Sequence, residues 1–267
     1  MKTYSPLKLM SGMCLRYSIR VRSNTRLRHV HIDGSGDQVI VFLHGFMSSK
    51  NYWRRVIKQL NPNDYTAISI DLLGFGKAPM PDSAYTYNDH VEYIRSVILD
   101  LGLDNVSIVM AGHSMGALIA SRYINTYPTH VKAAGFINPP IYITPKQAQS
   151  TILATGLHYR FLLTSKYRGL LWAAGRQARI LPAHSADSRE KSLQSIVVAA
   201  EFLDDMAKSP VQSLLTIGTK DRWLYQENIA LSKALNSQVR VRIDETGHHA
   251  ALTHPTLVAG YIKDLAS

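Results

Sequence analysis

The sequence predicts an α/β protein built on a mostly parallel, doubly wound sheet, and three observations predict it. Short runs rich in β-branched and apolar residues alternate with longer amphipathic segments over most of the chain, as βαβ units require. Val39-Ile40-Val41-Phe42-Leu43 is apolar without a break, which suits a strand covered on both faces. The alternation lapses once, between Ile141 and Ser209, and then resumes, so one helical segment interrupts the order of strands.

Taken in order, residues 15–21 and 27–32 read as two short strands separated by the turn Ser23-Asn24-Thr25, and Gly34-Ser35-Gly36-Asp37 is a second turn. After the apolar strand, 52–60 reads as a helix and 66–70 as a buried strand. Residues 88–101 form an amphipathic helix with Val91, Ile94, Val97, Ile98 and Leu101 on one stripe. A strand over 106–110, a helix over 115–127 and a strand over 131–137 follow. Pro139-Pro140 and Pro145 open the interruption and Pro210 closes it. Its apolar content includes Leu153, Leu157, Phe161, Leu162, Leu170, Leu171 and Trp172. Beyond it, 211–217 and 239–243 read as strands and 226–235 and 255–265 as helices. The expected division is a core of residues 1–140 and 210–267 with a helical cap, 141–209, lying as a lid over one end of the sheet.

Composition narrows the class. With 267 residues, 46% apolar and 18% charged, the chain can bury one full core and a modest insertion, not a second independent domain. The single cysteine, Cys14, excludes an internal disulfide framework and a cysteine-based zinc cluster. No apolar run approaches the ~20 residues that span a bilayer. The first thirteen residues carry Lys2 and Lys8 but no apolar core like that of a secretory signal, so a cytoplasmic location is expected. The formal charge is +11, with Arg16, Arg20, Arg22, Arg26 and Arg28 alternating with apolar residues as solvated strand positions do. That pattern reads as a basic surface with no nucleic acid expected, and it leaves room for weak association with an anionic membrane surface. Nothing in the sequence sets the oligomeric state.

The chemistry lies in Gly112-His113-Ser114-Met115-Gly116, directly after a strand and directly before a helix. A sharp strand-to-helix turn of this kind holds a serine in a strained conformation and needs small residues two positions either side. The amide of Met115 then opens a helix and points where an oxyanion forms. A serine hydroxyl is a weak nucleophile without a base. Asp244-Glu245-Thr246-Gly247-His248-His249 follows a late strand, and either adjacent histidine could serve, with Gly247 letting the backbone turn an imidazole toward the serine. Asp221 follows another late strand through Gly218-Thr219-Lys220. His44-Gly45-Phe46-Met47 follows the apolar strand, where the amide of Phe46 is the natural partner to that of Met115. His113 reads as packing beside the turn, and His44, His90 and His254 as structural.

Leu43-His44-Gly45-Phe46, Asp71-Leu72-Leu73-Gly74-Phe75-Gly76, Gly112–Gly116, Gly218–Asp221 and Gly247-His248 together resemble the α/β-hydrolase superfamily. The resemblance runs from about Gln38 to the C-terminus and leaves the insertion poorly matched. It implies Ser114 as nucleophile, His248 as base because it follows the glycine, and Asp221 as the orienting acid because the order Ser-Asp-His is that of the superfamily. It implies an oxyanion hole made by the amides of Phe46 and Met115, and no metal or organic cofactor. Haloalkane dehalogenases and epoxide hydrolases of this superfamily use an aspartate nucleophile, which Ser114 excludes. The expected substrate is a small ester with an apolar acyl or alkyl group. Lysophospholipase or monoacylglycerol lipase, carbon–carbon bond hydrolase, perhydrolase and a non-catalytic ligand-binding protein are the alternatives.

Overall fold

A computed structural model describes residues 27–155, 186–224, 226–228, 230–231 and 236–267. It contains a seven-stranded sheet: β1 Val30–Asp33, β2 Gln38–Leu43, β3 Tyr65–Ile70, β4 Ile108–His113, β5 Val131–Ile137, β6 Gln212–Gly218 and β7 Val239–Asp244. Their order across the sheet is β1-β3-β2-β4-β5-β6-β7, with β1 antiparallel to β3 and every other pairing parallel. From β2 the chain steps outward to β3, then crosses back to lay β4 on the other side of β2. That reversal opens a crevice at the carboxyl ends of β2 and β4, where open α/β sheets bind ligands.

The unbroken apolar run of β2 serves two cores. Val39, Val41 and Leu43 pack on one face with α2 (Tyr87–Asp100) and α3 (Met115–Thr126). Ile40 and Phe42 pack on the other with Trp53, Ile57 and α8 (Pro255–Ala266). Each large side chain so buried contributes roughly 1.5–3 kcal/mol. Thr86 and Asp89 cap α2 reciprocally, and all five residues of its predicted stripe are buried.

Several boundaries differ from those read in the sequence. Residues 28–29 form a turn, and β1 begins only at Val30. The helix expected over 52–60 is a 3-10 turn, Lys50–Trp53, followed by the four-residue α1, Arg54–Ile57. β4 runs on to His113, because the turn at Ser114 is abrupt enough that no loop separates strand from helix. The expected strand 15–21, Cys14 and four of the five early arginines lie outside the described residues, as do parts of the expected helix 226–235.

The described parts of 141–209 are helical: α4 Pro145–Thr155, α5 Ala186–Ser192, a wide turn Leu193–Val197 and α6 Phe202–Ala207. Residues 156–185, which carry Tyr159 and Trp172, lie outside the described residues. Ile152, Leu193, Ile196, Phe202 and Met206 join the same core as α2 and α3. The Ser188 hydroxyl donates to Gly74 O at 2.8 Å, and Tyr87 donates to Ile196 O at 3.2 Å. Residues 186–207 are thus bonded to the core. The short α7, Ala250–Thr253, leads into α8. Among the described residues no helix is long and apolar enough to cross a membrane, and no cluster suits a metal ion.

Candidate active site

Ser114 joins β4 to α3 with φ 51° and ψ −123°, a backbone region that side chains disfavour. The turn closes only because of its glycines. A Cβ on Gly112 would meet Gly116 O at 2.4 Å, and one on Gly116 would meet His44 O at 2.4 Å. The amides of Ala117 and Leu118 bond back to Ser114 O at 2.9 and 3.3 Å. Helix geometry leaves the two preceding amides, those of Met115 and Gly116, without partners in their own helix.

The loop after β2 lies directly beside this turn. A Cβ on Gly45 would come within 2.7 Å of His113 Nδ1 and 3.1 Å of Ser114 Cβ, so close approach, more than turn geometry, demands glycine there. His44 donates from Nδ1 to Gly45 O at 2.8 Å and accepts the Leu72 amide on Nε2 at 3.0 Å. Burial pushes its pKa down to about 4, which keeps the ring neutral and able to do both. Asp71 is fully buried and accepts from the Lys50 amide at 2.6 Å, Lys50 Nζ at 3.0 Å and the Lys77 amide at 2.8 Å. These bonds fix both ends of the segment that carries Phe46, whose side chain lines the pocket above Ser114.

The structure brings Ser114, Asp221 and His248 together. His248 Nδ1 lies 2.8 Å from Asp221 Oδ2, and His248 Nε2 lies 3.0 Å from Ser114 Oγ. A carboxylate faces Nδ1, so that nitrogen carries the proton and Nε2 presents its lone pair to the serine hydroxyl. Asp221 is buried and its other oxygen accepts the Trp223 amide at 2.8 Å, a turn closed by its own side chain. Trp223 stacks on His248 with ring centroids 5.6 Å apart. His249 is exposed, its ring set edge-on to His248 and making no bond to Ser114.

Gly247 does not do what the sequence suggested. Its φ is not positive, and a Cβ there would meet nothing nearer than Lys220 O at 3.9 Å. The imidazole is aimed by its neighbours instead. His113 Nε2 donates to His248 O at 2.8 Å, and Asn138 Nδ2 donates to Gly247 O at 2.7 Å and His248 O at 3.3 Å. Sequence reasoning passed over Asn138, which lies in none of the motifs it singled out. It also missed Tyr52, Val197 and Trp223 as pocket walls. Only Trp223, two residues after Asp221, carried a local signal.

Residues 38–169 match the family described as the alpha/beta hydrolase fold. The chain is 40% identical over 117 residues to the probable lysophospholipase BODYGUARD 4 of Arabidopsis thaliana, covering 43% of this chain and 27% of that protein. It is 32% identical over 111 residues to a haloalkane dehalogenase of Agrobacterium fabrum, covering 42% of this chain and 35% of that protein. The chain therefore matches about a quarter of the length of the lysophospholipase relatives. Among solved structures it resembles E-2-(acetamidomethylene)succinate hydrolase, with TM-score 0.71 and 19% identity over 88% of this chain and 93% of that one. It also resembles Est816, described as an N-acyl homoserine lactone degrading enzyme, with TM-score 0.68 and 19% identity over 88% of this chain and 95% of that one. At such identity the likeness is one of fold.

Proposed function

The chain belongs to the α/β-hydrolase superfamily, and from that premise we propose that it is a serine hydrolase cleaving a carboxylic ester with an apolar acyl or alkyl group. His248 takes the Ser114 proton as Oγ attacks the acyl carbonyl. Asp221 holds the tautomer and stabilises the imidazolium. The amides of Phe46 and Met115 bind the oxyanion, each donor contributing about 3–4 kcal/mol to the barrier reduction. The imidazolium returns its proton to the leaving alcohol, and water, deprotonated by His248, cleaves the acyl-enzyme. What carries this reading is the unbroken pair of hydrogen bonds from Ser114 through His248 to Asp221, at 3.0 and 2.8 Å.

The likeness to a haloalkane dehalogenase does not extend to the chemistry. Displacing a halide with a serine oxygen would leave an ether, which has no carbonyl for water to attack. An acyl group on serine leaves an ester, which water can cleave. The pocket beside Ser114 is walled by Phe46, Tyr52, Val197 and Trp223, which favours an apolar group there. As part of the same reading, residues 141–209 act as a cap over this end of the sheet.

The test is Ser114→Ala in the full chain. It should leave a folded protein whose hydrolysis of p-nitrophenyl esters falls by several orders of magnitude. Comparable turnover in the variant would remove the nucleophile from the assignment. A second reading, lysophospholipase, is favoured by the names of the relatives at 34–40% identity and by the chain's charge of +11. Strong activation by anionic vesicles would separate it from an esterase acting on dissolved substrate.

A further inference from the structure

A general base works only if it stays where it is aimed, and His248 sits on a loop with little of its own to hold it. Gly247 precedes it in unstrained backbone with open space around its Cα. The loop is held instead at three consecutive carbonyls. The Lys220 amide donates to Thr246 O at 3.0 Å, Asn138 Nδ2 to Gly247 O at 2.7 Å, and His113 Nε2 to His248 O at 2.8 Å. The first bond ties the base loop to the acid loop through backbone alone. The other two come from side chains at the carboxyl ends of β5 and β4.

We propose that His113 and Asn138 are positioning residues that hold the backbone of His248, and so keep its imidazole between Ser114 and Asp221 through both halves of the reaction. The inference rests on the serine-hydrolase reading above. His113 is the residue before the nucleophile, so one segment carries Ser114 and grips the base. Its ring is closely packed: it stacks on Tyr52 with centroids 4.4 Å apart, and a Cβ on Gly45 would come within 2.7 Å of its Nδ1. Burial, then the nearby charge of His248, holds its pKa well below the usual histidine value. It therefore stays neutral, with its one N–H committed to the His248 carbonyl. When His248 becomes an imidazolium, its neighbour adds a donor to its backbone without adding a charge.

Asn138 supplies the second hold, and its backbone explains how. It sits just beyond β5 at φ 47°, a conformation asparagine tolerates better than most residues, and its amide is pinned to Thr216 O at 3.0 Å. An aspartate here would set a carboxylate against two carbonyl oxygens. An amide donates to both, which is the physical reason for asparagine at this strand end.

The experiment compares His113→Phe, His113→Gln and Asn138→Gly in the full chain. Phenylalanine keeps the stack on Tyr52 and removes the donor, glutamine restores a donor, and glycine accepts the positive φ. His113→Phe should lower kcat by about 10- to 100-fold with KM changed less than about twofold, and His113→Gln should recover most of the loss. The low-field proton resonance of the His248–Asp221 hydrogen bond should be sharp in the wild type and broadened in His113→Phe and Asn138→Gly. Folded variants with wild-type kcat and an unchanged resonance would overturn the proposal. So would a loss confined to thermal stability, which is what a merely structural role produces. If His113→Phe does not fold, Asn138→Gly decides by the same two readouts. If the wild type shows no Ser114-dependent esterase turnover, the functional reading fails and the resonance alone decides the positioning.

Discussion

Of the five non-glycine residues with positive φ among the described ones, three, Met47, Ser114 and Asn138, lie at the site or in the loops beside it. Ser114 at φ 51° costs on the order of 1–3 kcal/mol, and it persists because Gly112 and Gly116 let β4, β2 and α3 crowd around it. Removing the side chain should release part of that energy. Ser114→Gly should be more stable than Ser114→Ala by about 1–2 kcal/mol, read from urea unfolding midpoints, while both lack activity. Equal midpoints would mean that the surrounding packing, not the backbone of Ser114, bears the strain. His44 and His113 show the complementary device. Each is a buried ring made neutral by desolvation, and each spends its hydrogen bonds on backbone groups beside the site.

Between elements, buried polar contacts join the segments that apolar packing brings together. His90 on α2 faces Ser192 of α5 at 3.3 Å, and burial drives its pKa down to about 3. The sign of the resulting pH dependence follows from linkage. The unfolded chain binds a proton at His90 near pH 6.5 while the folded chain does not until about pH 3. Stability is therefore complete above pH 6.5 and falls as pH drops through the window between these values. His44 behaves alike down to about pH 4. Each contributes a slope of about 1.4 kcal/mol per pH unit. Melting temperature should decline from pH 6.5 toward pH 4, and His90→Gln should flatten that decline. A flat profile in the wild type would show that these rings take up protons while folded.

At the scale of the whole molecule, the strand order places the site and the insertion shapes it. The reversal between β2 and β4 brings the loop of Phe46 beside the turn of Ser114, and Val197 of the insertion lines the pocket with them. Each methylene of substrate buried there should add ~0.8 kcal/mol until the space is filled. The expected outcome is that kcat/KM for p-nitrophenyl esters rises from acetate to at least butyrate and then levels or falls. A steady decline from acetate upward would refute the apolar acyl site and favour a small closed pocket.

What the sequence by itself determined is what short-range physics encodes. Apolar runs with period two or none gave β2, β3, β5 and β6 to within one residue and β4 to within three, because a strand buried on both faces has no polar positions to spare. The glycines around Ser114 announced the strained turn within five residues, since that geometry is intolerable to any larger side chain. The structure decided what joins distant residues. Ser114 and His248 are 134 positions apart, and no local preference records which of two adjacent histidines faces the serine. Asn138 bears no local mark of its role, which is set by its amide on the carbonyl of Gly247, 109 residues away. Residues 186–207 carry apolar faces whose partners prove to be the core around α2 and α3. A helix's periodicity tells that it has a face to bury, but only the packed neighbours tell against what.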